Sequence, residues 1–259
     1  MTAPAHDTAV LDLSTTPRIP FRALVGVELR KLADTRSGKW LLIAIGAITA
    51  LIIVIFFFTA PAADRTFLSF VGVTATPQGF LLPVLGILLV TSEWSQRTAL
   101  TTFTLVPARS RVLAAKVVAA LLAGLAAIVL ALAVAAVAAA LGGAEDAWVG
   151  AGTDDLGKFT LLQATGVLQG LAFGLLFLNS AAAIVTFFVL PTAFTIVASL
   201  WGPLRDAAPW VDIGTAQQPL FGDNDLTGEQ WVQVATTAAI WVVLPFVLGL
   251  LRVRRAEVK

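Results

Sequence analysis

The chain has 259 residues, of which 58% are hydrophobic and only 13% charged, with a net charge of +1 and a mean hydropathy of +0.89. Soluble domains sit nearer about 45–50% apolar and about 25% charged, so a soluble globular enzyme is excluded and a polytopic helical membrane protein is predicted. The near-neutral balance gives no bulk attraction to nucleic acid, and the absence of cysteine removes disulfides and thiolate metal sites.

Residues 1–17, MTAPAHDTAVLDLSTTP, lack the cationic start and apolar core of a signal peptide. They read as a disordered, solvated tail. From Arg18 to Leu32, an apolar helical face carries Phe21, Leu24, Val25, Leu29 and Leu32, with Arg22, Arg30 and Lys31 away from it. That pattern fits an amphipathic helix on the membrane surface. It fits equally a basic flank that only sets topology, and both readings can hold together.

A bilayer core of about 30 Å needs roughly 20 apolar residues per helix, and the remainder of the chain supplies six such runs. The first is 40–59, closed by Ala60-Pro61. The second is 76–93, with Thr76 as N-cap, Pro77 at the first helical position and Pro83 as a kink. Residues 67–73 just before it either extend this span or lie at the interface. The third, 112–141, is alanine-rich and ends at Gly142-Gly143.

Residues 159–201 are apolar almost throughout. One helix of that length would measure about 65 Å, twice the membrane core, so the chain must fold back. Asn179-Ser180 is the corner, asparagine closing one helix and serine capping the next, which gives spans 159–178 and 181–201. Residues 202–226 then form an outer loop with Trp210 and Phe221, suited to an interfacial or re-entrant segment. The sixth span, 228–251, opens with Thr227 and Gln230 in capping-box spacing.

Charge sets the expected orientation. With both termini in the cytoplasm, the cytoplasmic segments hold 14 of the 17 basic residues, and only Arg65, Lys158 and Arg205 lie outside. This asymmetry is a positive-inside signal. The largest cytoplasmic loop between spans is then SEWSQRTALTTFTLVPARSRVLAAK, Ser92 to Lys116.

That loop and its setting resemble the permease subunits of the type-2 ATP-binding-cassette (ABC) exporter family. A basic amphipathic stretch, FRALVGVELRKLADTRSGKW, leads into the first of six spans, and Glu93 ends the second. The matching run is Glu93-Trp94, Arg97-Thr98, Pro107, Arg109 to Arg111 and Lys116, within a likeness over about residues 20–255. Many members carry glycine before the threonine, where this chain has Arg97. The resemblance implies that the loop holds a coupling helix docking in a groove of a separate cytoplasmic ABC ATPase. It further implies a homo- or heterodimer of permease subunits with two ATPase copies, in the plasma membrane. ATP and magnesium would bind the ATPase, and this chain would bind no cofactor directly.

The residues themselves offer an interface. Leu100, Phe103 and Val106-Pro107 form an apolar patch among hydrogen-bonding threonines, as apolar anchors inside a polar rim require. Arg109, Arg111 and Lys116 suit partner contact or, equally, lipid phosphates. Glu93 pairs with Arg97 at i, i+4 or with the amphipathic helix; the alternative is a solvated helix end.

Two further features need weighing. GTDDLGKFT, with Gly152 and Gly157-Lys158, imitates a phosphate-binding loop but has Phe159 where Ser or Thr must hold magnesium. Gly166, Gly170 and Gly174, with Gln163 and Gln169 nearby, make a small-residue ridge for close helix packing or a wall of the transport path. The one histidine, His6, is in the tail and the spans hold no paired carboxylates. Histidine chemistry and metal catalysis are therefore not expected, and an ion-coupled transporter is disfavoured against the ATP-driven one. A passive channel or scaffold is the remaining rival.

Overall fold

The computed structural model describes residues 19–149, 151–222 and 225–255, and every element among them is helical. Helix α1 (Phe21–Asp34) turns at Thr35 into α2 (Arg36–Thr59), whose first turn is capped by the Thr35 hydroxyl accepting from Gly38 N–H. A 3-10 turn (Ala62–Asp64) leads to α3 (Phe67–Ser95), then come the short α4 (Ala99–Leu105), α5 (Arg109–Gly142) and α6 (Thr153–Phe177). Helix α7 (Ser180–Leu200) is followed by two short helices, α8 (Gly202–Val211) and α9 (Ile213–Gln217). Helices α10 (Gly228–Ala238) and α11 (Leu244–Arg255) are joined through one π-helical turn, Ala239–Val243. The six helices α2, α3, α5, α6, α7 and the continuous α10–α11 are long and apolar enough to cross a membrane. The chain is an all-α polytopic membrane protein.

Several expected boundaries move. The second span begins at Phe67, ten residues before Pro77, because Thr66 is the N-cap that accepts from Ser69 N–H. Pro77 therefore lies inside the helix, and residues 67–73 belong to it. The fold-back near Asn179 is present with its roles shifted by one residue. Leu178 takes the left-handed conformation (φ 52°) and donates to the Gly174 carbonyl, while the Asn179 side chain accepts from Ala182 N–H. The capping box at Thr227 and Gln230 is present in both directions. The amino-terminal tail lies outside the described residues.

Helices α3 and α6 form the centre, 56% and 61% buried over their apolar windows, against 17% for α2 and for α7. Their contact is close because glycine removes the obstacle. A Cβ on Gly170 would stand 2.1 Å from the Pro83 carbonyl oxygen, and one on Gly86 2.5 Å from that of Val167. Such proximity is the small-residue packing mode of membrane helices. Around this pair α2 and α5 close one flank, with Phe70 buried and Phe56 edge-on to it at 5.4 Å. On the other flank α7 and the sixth span enclose Phe173 and Trp241.

Candidate functional site

Four charged side chains meet where α1, α3 and α5 converge. Lys31 Nζ lies 2.8 Å from Glu28 Oε1 and also bonds Glu93 Oε1; Lys116 Nζ lies 2.6 Å from Glu28 Oε2 and 3.3 Å from Glu93 Oε2. Each lysine thus touches both carboxylates, and the four groups close a ring. The side chains of Glu28 and Glu93 are 4% exposed, Lys116 1% and Lys31 30%. Isolated ions at such depth would carry a desolvation cost of several kcal/mol each, but a neutral ring with its hydrogen bonds filled largely offsets it. Lys116 fills its remaining capacity on the Leu89 carbonyl at 3.1 Å, and Glu93 accepts the Thr102 hydroxyl at 3.0 Å.

Burial pushes the Lys31 ammonium down, but Glu93 and then Glu28 outweigh it, and its pKa stands above the ordinary lysine value.

The local sequence explains the convergence. On α1, the buried residues Leu24, Val25, Glu28 and Leu32 follow the i, i+3/i+4, i+7 spacing of one helical face. Glu28 therefore points inward with the leucines. Sequence reasoning missed it, although its place within the apolar stripe was the available signal. Glu93 pairs with the amphipathic helix as one alternative held; its partners are Lys31, Lys116 and Thr102 rather than Arg97. The headgroup-anchor reading of Lys116 is corrected, because a side chain 1% exposed cannot reach lipid phosphate.

Beyond Glu93 the chain reverses through an αL turn. Thr98 N–H donates to the Glu93 carbonyl, Arg97 N–H to that of Trp94, and Arg97 has φ 56°. This is a Schellman ending with Arg97 at the position glycine normally occupies. Trp94 is partly buried against the hydrophobic core, while Thr98 is exposed and precedes α4 without a side-chain cap.

Helix α4 splits the expected apolar patch in two. Phe103 is turned inward at 9% exposure, with the Arg109 guanidinium 5.1 Å from its ring centroid. Leu100 is 48% exposed and Leu105 70%. The outward pair is Leu100 and Leu105, and Leu105 was not anticipated. Arg109 donates to the carbonyls of Val253 and Arg254 in the last turn of α11, at 2.6 and 3.2 Å. A cation there also meets the negative end of the helix dipole. Arg111 donates to the Ile19 carbonyl at 2.9 Å, holding the entry to α1. Both arginines thus bind the ends of other segments.

The remaining singled-out residues lie deeper or farther away. Gly166, Gly170 and Gly174 face α3 at Pro83 and Ile87, so the ridge is a packing surface within the chain. Gln163 donates to the Ala75 carbonyl at 3.3 Å, and Gln169 is buried with no partner for Nε2 among the described residues. Lys158 lies inside α6, its ammonium held by Asp155 at 3.2 Å and the Gly222 carbonyl at 3.4 Å. In a phosphate-binding loop the glycines lie in a turn after a strand, whereas here Gly157 is helical. At the same far end Asp212 is fully buried. It accepts the hydroxyls of Thr195 (2.9 Å) and Thr215 (2.6 Å) and the Thr215 N–H (3.1 Å).

No protein-family model and no curated protein matches the chain.

Proposed function

We propose that the chain is the membrane-spanning permease subunit of an ATP-driven exporter of the type-2 ABC class. In this reading it lies in the plasma membrane with both termini cytoplasmic. Two permease subunits join two copies of a separate ATPase, which alone holds ATP and magnesium. The observation that carries the reading is helix α4: a seven-residue helix between two spans, apolar on its outward side at Leu100 and Leu105 and tied inward through Thr102 and Phe103.

A push on α4 would not stop there. Thr102 bears on Glu93, and Glu93 is bound to α1 through Lys31 and to α5 through Lys116. ATPase closure would therefore displace three packed elements together and bias the spans between inward- and outward-facing arrangements. The rival, a channel or ion-coupled transporter without an ATPase, draws support from Asp212, an ionisable group enclosed against Thr195 of α7.

The test is co-expression with an ABC ATPase, which this reading expects to be encoded beside the chain, followed by purification and transport assays in proteoliposomes. A complex with transport dependent on ATP is expected, and Lys158→Ala should leave that transport unchanged. A chain that purifies alone and transports without nucleotide overturns the proposal. A cytoplasm-only reporter should be active after Lys259 or near Asn179 and silent near Asp154 or Asp223.

A further inference from the structure

Directly below the charged ring, on the membrane side, α1, α2 and α5 leave an open trough of about 270 Å³. Leu29 and Leu32 of α1, Leu42, Ile45 and Gly46 of α2, and Ala123, Ala126, Ala127 and Leu130 of α5 line it. Every lining side chain is apolar, and the hollow exists because four of them are glycine or alanine. Lys39 stands on the same side of α2. It precedes Gly46 by seven residues, which places it within about 20° of Gly46 around the helix and about 10 Å nearer the end where α1 lies.

The Lys39 side chain is exposed and its ammonium makes no hydrogen bond or ion pair with another described residue, and the same holds for the guanidiniums of Arg30 and Arg36 on the α1–α2 elbow. The ring neutralises Lys31 against the carboxylates, so the free charge at this mouth is positive, with Asp34 the only exposed acid of α1. An apolar trough opening to the bilayer and ending at unpaired cations matches one chemistry: an acyl chain with an anionic head. Basic pockets at the ends of membrane helices recognise such lipids.

We infer that the trough binds one acyl chain of an anionic phospholipid, with Lys39 holding its phosphate, and that the lipid braces α1 against α2 and α5. The site is independent of any ATPase partner.

The experiment is native mass spectrometry of the detergent-purified chain, titrated with dioleoyl phosphatidylglycerol or dioleoyl phosphatidylcholine. Wild type should retain the phosphatidylglycerol preferentially. Lys39→Ala should lower that preference about fivefold, the ratio that ~1 kcal/mol per basic residue gives. Ala126→Leu, at an exposed position that leaves the fold intact, should fill the trough and lower retention of both lipids. Gly46→Leu should do the same from the opposite wall, and it serves as the second variant. Equal retention of the two lipids by wild type, or an Ala126→Leu chain that retains phosphatidylglycerol normally, overturns the site. Disulfide cross-linking of Ala126→Cys to a second copy, in a chain that has no native cysteine, would show the trough to be a protein interface instead.

Discussion

Lys116 Nζ lies 2.6 Å from Glu28 Oε2, although 88 residues separate them, and neither side chain is more than 4% exposed. Two carboxylates and two ammoniums share this enclosure, so its stability rests on balance rather than on any single bond. Lys116→Met would leave Glu28 and Glu93 facing one lysine, an uncompensated buried charge that costs about 3–5 kcal/mol. Adding Glu28→Gln removes one charge of each sign and should recover much of that loss. The measurement is a double-mutant cycle of melting temperatures in detergent. Strictly additive losses would mean the four groups do not act as a unit.

The ring also has a defined pH response. The pKa of Lys31 is raised, so the stability it contributes is complete below the ordinary lysine value of about 10.4 and is lost as pH rises through the raised one. Docking of α1 should therefore be unchanged from pH about 6 to about 9 and loosen only in stronger alkali. A fluorophore on Arg30→Cys reports this directly. Loosening near neutral pH would remove the ion pairs with Lys31 from the account.

Arg97 occupies a left-handed position, φ 56°, that closes α3. A side chain there costs about 1–2 kcal/mol, part of which glycine returns through its greater unfolded-state entropy. Arg97→Gly should stabilise the segment by about 0.5–1 kcal/mol, read as slower proteolysis between α3 and α5. Faster cleavage would assign Arg97 a contact that outweighs its backbone strain.

The glycine ridge separates by position. A methyl at Gly170 would sit 2.1 Å from the Pro83 carbonyl oxygen, whereas one at Gly166 would rest 3.4 Å from the Pro83 ring. Gly170→Ala should therefore force α6 off α3, with loss of folded protein. Gly166→Ala should express and melt like wild type. Equal tolerance of both would show that α3 and α6 are not held this closely in the membrane.

These contrasts also mark where the sequence could be read and where it could not. Each span is a long apolar run, and hydropathy acts locally, so their number and the fold-back at Asn179 follow from composition and length. The start of α3 does not, because Thr66 and Thr76 are both capable caps and only the packing of Phe67 and Phe70 against α2 and Trp148 selects the first. The ring was half legible. Glu93 stood out as an acid amid bases, yet its pairing with Lys116 joins α3 to α5, and Glu28 enters from a third helix. Local spacing offered Arg97 instead, and the αL turn at that residue leads the chain away. The direction of Phe103 depended likewise on Arg109, whose place is set by the carbonyls of α11.

That inward turn of Phe103 decides how the proposed coupling surface should be tested. If α4 docks in an ATPase groove, the anchors are Leu100 and Leu105, at 48% and 70% exposure, and not Phe103 at 9%. Replacing both leucines with Asp should remove about 2 kcal/mol or more per anchor, the scale of an interface hot spot, and would bury charge in the groove as well. The spans and the ring are untouched, so the chain should accumulate and melt normally while losing the proposed ATPase on co-purification and losing transport. Phe103→Ala should act differently. It removes packing beneath α4 and the ring under Arg109, so melting temperature should fall first and partner binding only as a consequence. Arg111→Ala, which frees only the Ile19 carbonyl, should do least. A Leu100/Leu105 double variant that still retains its ATPase at wild-type levels would leave α4 as a structural turn between spans, and the coupling role would have to be sought elsewhere.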